Sequence, residues 1–189
     1  MNVAERICRA PVGLAAIVMA IMSAAAWGNL TLLQRGALAQ VEAEIRPLVS
    51  GLTALGNLLS ATTVLAFWPL LTLAFWCCGI LAAGAAAPDY RELLGPVGAA
   101  HIPAAAGTLG VWLVLLAADV WIMPGEDMKE LAAMPFIQTC RTLTATGNAL
   151  TAVAFVLVVR RSFGLSWVRA AAVVVAPFCL YGLCARLIG

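Results

Sequence analysis

Few residues in this chain have the type and spacing for chemistry. His101 and Asp119 flank one apolar stretch, and ionisable groups inside a membrane commonly carry function. They stand 18 residues apart, about 27 Å along a helix. That separation puts them near opposite interfaces, as anchors rather than as a proton-transfer pair. Cys77 and Cys78 are adjacent in "FWCCGIL", and thiolates bind soft metals. Neighbouring helical residues point about 100° apart, so the pair alone is a poor chelate. Both are weak metal candidates, and inert thiols are the expected reading. Cys8, Cys140, Cys179 and Cys184 add no C-x-x-C spacing, which argues against a disulfide framework. No nucleophile–base set, phosphate loop or metal-ligand cluster is present, so the chain reads as a non-enzyme that needs no cofactor.

The polar residues with the clearest spacing lie in two similar decamers, "LTALGNLLSA" from Leu52 and "LTATGNALTA" from Leu143. Seven of their ten positions are identical. Thr53, Asn57 and Ser60 fall at i, i+4 and i+7, and Thr144, Asn148 and Thr151 repeat that spacing. On a helix each set shares one face. Gly56 and Gly147 sit beside the asparagines and remove bulk. A polar stripe with a small neighbour is what helices use to associate in lipid, for about 0.6–2 kcal/mol per hydrogen bond. Seams between helices are the expected role, because no membrane-embedded charge accompanies either stripe. The alternative is a small transporter or channel whose path lies between two repeat units.

The elements that must hold these residues follow from composition. The chain is 63% hydrophobic and 11% charged, with a mean hydropathy of +1.00. Soluble domains carry about 25% charged residues, so lipid must be the main solvent. A helix needs roughly 20 apolar residues to cross a hydrocarbon layer of about 30 Å. Uncharged windows at 11–34, 47–88, 93–118, 142–159 and 170–185 then predict spans at 11–34, 52–83, 100–123, 142–159 and 165–187, with Arg169 snorkelling toward the headgroups. Their Ala- and Leu-rich, non-alternating pattern excludes a barrel. The expectation is an all-α polytopic helical bundle, a single transmembrane domain over 1–189.

The 47–88 window is long enough for two tight spans. Without a polar turn, one helix kinked at Pro69 is the preferred reading. Ala24 and Ala26 form a signal-like A-x-A site, but apolar residues continue past it to Leu33, so the first span reads as retained. Each decamer follows a proline-led span, a tryptophan (Trp27 or Trp121) and an acidic connector, which suggests a parallel two-helix internal repeat. Arg6, Arg9, Arg91, Arg160, Arg161 and Arg169 gather on one side, against Arg35, Arg46, Lys129, Arg141 and Arg186. This gives a cytoplasmic N-terminus. The scattered net charge of +2 gives nucleic acid nothing to bind. The expected partners are the bilayer and either another membrane protein or further copies of this chain.

Two segments carry a family resemblance. "LLGPVGAAHIPAAAG" (93–107) places Gly98, Ala100, Ile102 and Pro103 at the opening of the third span. "VLVVRRSFGLSWVRAAAVVVAP" (156–177) places Gly164, Leu165 and Ser166 before the last. Over roughly residues 50–185 the chain resembles bacterial members of the Ypt-interacting (Yip) family. That family has a Gly-Tyr-Ala-Ser-Ile-Pro-like opening and a Gly-Leu-Ser turn. Ala99 replaces the usual aromatic and His101 a small polar residue. The resemblance implies five spans, an exoplasmic C-terminus and no catalytic residues. It also implies an inner-membrane scaffold or accessory subunit, associated in some relatives with ABC-type transporters.

Overall fold

A computed structural model describes residues 3–84, 87–118 and 134–188. Seven helices occur among them: α1 (Val3–Cys8), α2 (Val12–Ala39), α3 (Arg46–Ala83), α4 (Tyr90–Ala99), α5 (Ile102–Ala118), α6 (Pro135–Ser162) and α7 (Trp167–Ile188). No strand occurs among the described residues. Among the described residues, five stretches are long and apolar enough to cross a membrane: Val12–Gln34, Arg46–Ala83, Tyr90–Ala118, Pro135–Ser162 and Trp167–Cys184. The chain is an all-α integral membrane protein.

Helix ends follow local chemistry. Pro135 opens α6, where a missing N–H costs nothing. The connector between α2 and α3 is shorter than its charges suggest, because α2 reaches Ala39 and α3 begins at Arg46. There the Arg46 guanidinium donates to the carbonyl of Val41 at 2.9 and 3.2 Å and to that of Ala39 at 3.4 Å. The last carbonyl of α2 and the Val41 carbonyl in the turn are thereby satisfied. α3 is one unbroken helix of 38 residues with Pro69 inside. At about 57 Å it is nearly twice the hydrocarbon thickness, so it crosses steeply tilted or extends beyond it.

The largest departure from expectation is the segment before the third span. "APDYRELLGPVG" has the composition of a loop, yet Tyr90–Ala99 forms α4, with Leu93 and Val97 fully buried. Aromatic side chains of α3 hold it in place. Trp68 Nε1 donates to the Leu94 carbonyl at 3.0 Å, and Trp76 Nε1 to that of Pro88 at 2.9 Å. The Tyr90 hydroxyl in turn donates to the Pro69 carbonyl at 3.0 Å. This bond ties α4 to α3 at Pro69.

The chain forms two compact units. One comprises Met1–Met19, Ala66–Ile102 and Ala149–Gly189, and the other Ala20–Leu65 and Pro103–Asn148. The first has an apolar core around Phe75, Leu93, Val97, Val158 and Val159. In it the Phe75 and Phe155 rings meet edge to face, their centroids 5.1 Å apart. The second depends on close backbone approach. A methyl on Gly107 would stand 2.9 Å from the Leu143 carbonyl oxygen, and one on Gly147 would stand 2.8 Å from that of Pro103. α5 and α6 therefore cross glycine against glycine, the close packing that lipid-embedded helices use in place of a hydrophobic driving force.

Candidate functional site: a broken helix and two polar faces

Between α4 and α5 the helical bonding slips. The Ala100 N–H still reaches the Pro96 carbonyl at 2.9 Å, but the His101 N–H bonds Gly98 at 3.1 Å, one residue short of the α pattern. Pro103 has no N–H to offer the Ala99 carbonyl, so the ladder cannot close across the break. The Val97 carbonyl, released by the slip, lies 2.9 Å from Nδ1 of His101. A carbonyl only accepts, so Nδ1 carries the proton in this contact. The ring packs edge to face on Phe155 at 4.9 Å.

This placement corrects the interfacial role expected for His101. Because α4 is helical, the third span runs Tyr90–Ala118 and His101 sits near its middle, only 6% exposed. Asp119 and Trp121 lie outside the described residues, as do Lys129 and the acids of that connector.

The family-motif positions have definite structural tasks. Gly98 lets Ala15 and Trp68 approach to where a side chain would stand. Gly164 adopts φ +64°, a left-handed turn open to glycine and strained for other residues. Leu165 is buried, and the Ser166 carbonyl accepts from Ala170 at 2.9 Å as α7 opens. Val97 and Ala100 share one apolar cluster with Phe163 and Leu165, so segments flanking both motifs meet in the first unit's core.

The two stripes behave differently. In the first, Asn57 is 4% exposed and donates from Nδ2 to Oε1 of Gln34 at 2.9 Å, Thr53 is half-buried and Ser60 is exposed. In the second, Thr144 and Asn148 are both exposed, and only Thr151 is buried. The expectation of a shared inward face is corrected for this copy. The inward face of α6 here runs through Leu143, Gly147 and Thr151, because the glycine crossing with α5 turns that side inward. Exposed Thr139, Thr142 and Thr144 satisfy their hydroxyls on carbonyls four residues back, each at 2.9 Å. The Asn148 amide has no hydrogen-bond partner among the described residues.

Gln34 escaped the sequence reading. Gln34 lies five residues before the end of α2 and Asn57 eleven after the start of α3, so distance from the turn gives no signal of the pair. Cys77 is exposed and Cys78 half-buried. Among the described residues no three His, Cys, Asp or Glu side chains gather as a metal site. Outside the spans, burial pushes the Cys8 thiol above its ordinary range, and the Arg161 guanidinium bonded to it opposes that with a smaller effect. Arg160 lies over the Trp167 ring, 4.4 Å from its centroid.

No family model, no curated protein and no solved structure matches this chain.

Proposed function

We propose that this chain is a scaffold or accessory subunit of a bacterial inner membrane, holding a partner membrane complex by helix packing. The observation that carries the reading is Asn148. It lies near the middle of the 28-residue α6, exposed, with its amide unbonded among the described residues. An amide facing hydrocarbon without a partner costs about 4 kcal/mol or more. A neighbouring helix removes that cost and returns about 0.6–2 kcal/mol through the bond it forms. Thr144, one turn away on the same exposed side, extends the face.

The Yip-like motifs favour an accessory subunit, with an ABC-type transporter as the partner class. The arginine distribution favours a cytoplasmic N-terminus. A single lysine, Lys129, against ten arginines suits a GC-rich bacterial genome. Affinity purification from native membranes in mild detergent tests the proposal. A membrane protein that co-purifies with the wild type and is lost from Asn148→Leu is expected. Recovery of the wild type as a lone monomer would overturn it.

A further inference from the structure

We infer that the seam between α3 and α7 in the first unit is a binding groove for an anionic phospholipid of the bilayer. The helices run antiparallel here, and both present small residues one turn apart: Cys78 and Ala82 on α3, Ala172 and Ala176 on α7. Small residues at such spacing normally let helices close on each other. Here they leave an open surface groove of about 420 Å³ instead, with the exposed Arg169 at its edge. A second cavity of about 460 Å³ follows along the same two helices, lined by Ala74 on one and by Pro177 and Tyr181 on the other. From Ala82 back to Phe67 the α3 wall covers 16 residues, a rise of about 22 Å. That exceeds the depth of one leaflet, half of a hydrocarbon core of about 30 Å. An extended acyl chain fits such a furrow.

Charge selects the headgroup. Arg169 stands in the first turn of α7, where the interface must lie, and its side chain makes no hydrogen bond or ion pair among the described residues. From Leu131 to the last residue the sequence has no aspartate or glutamate, so the α6–α7 hairpin cannot neutralise its own arginines. Nε of Arg160 is buried without a hydrogen-bond acceptor while its guanidinium lies over Trp167. The described acids of this unit, Glu5, Asp89 and Glu92, belong to α1 and the start of α4. Leu81, 88% exposed at the rim, gives the chain an apolar edge beside that basic mouth. A lipid phosphate on Arg169 with its acyl chain along the seam satisfies both.

The inference is independent of the proposed partner on α6. The full chain, reconstituted in nanodiscs of equimolar phosphatidylcholine and phosphatidylglycerol and released for native mass spectrometry, provides the test. Phosphatidylglycerol retained in preference to phosphatidylcholine is expected. Arg169→Gln should reduce that preference about fivefold, the effect of one basic group at an anionic surface. Arg186→Gln, at the other end of α7, should leave it unchanged. Ala172→Leu, which fills the groove, should reduce retention of both lipids. Equal retention of the two lipids by the wild type, or an unchanged preference in Arg169→Gln, would overturn the inference. So would a second copy of the chain, rather than lipid, bound in a form that Ala172→Leu abolishes.

Discussion

The decamers from Leu52 and Leu143 are nearly the same sequence in two different settings. In the first, the inward residues are Thr53, Asn57 and Ala61; in the second they are Leu143, Gly147 and Thr151. The buried face has moved by one position, a rotation of about 100° on a helix. One copy therefore turns its asparagine inward, to Gln34, and leaves Gly56 with nothing within 4 Å of where a side chain would begin. The other turns its glycine inward, against α5, and leaves its asparagine outside. The same Gly-Asn pair supplies a hydrogen bond in one place and a close crossing in the other. Which one is used depends on the neighbouring helix.

The sharpest way to break this comparison is to add one methyl group to each glycine. Gly147→Ala pushes a side chain into the Pro103 backbone and should destabilise the protein by about 1–3 kcal/mol. Gly56→Ala meets open space and should be neutral or stabilising by up to about 1 kcal/mol. Thermal unfolding of both variants in detergent measures the difference, and equal effects would contradict the rotated faces. The asparagines come next. Asn57→Leu leaves Gln34 without its partner and should cost about 1 kcal/mol. Asn148→Leu should cost the isolated chain nothing by the same measurement.

The smallest effect belongs to Cys8. Burial holds its thiol neutral, so this group's contribution to stability is intact below the ordinary thiol range and falls as pH rises through the raised folded value. Maleimide labelling of Cys8 should accordingly rise only at a pH above that of a free thiol. Arg161→Gln should slow labelling at any given pH, since that guanidinium favours the thiolate. Faster labelling in the variant would mean that Arg161 acts as a steric cover instead.

Much of the architecture was legible because lipid imposes simple constraints. Uninterrupted apolar length marks a span, so five spans could be read, as could the single helix through Pro69. α4 was illegible because its own residues, with two charges, two glycines and a proline, favour a loop. It is helical because Trp68, Trp76 and Tyr90 make bonds between it and α3 that no local pattern reveals. His101 was misplaced for the same reason, its depth following from where α4 begins. The stripes were half legible. Spacing shows which residues share a face, but the glycine crossing of α5 with α6 decides which face turns inward.

Site-specific photo-crosslinking in native membranes tests the central claim most directly, with the photoreactive residue placed at Asn148 in one variant and at Asn57 in the other. An adduct with another membrane protein at 148, and none at 57, is the predicted result. An intermolecular adduct at 57 with none at 148 would contradict it.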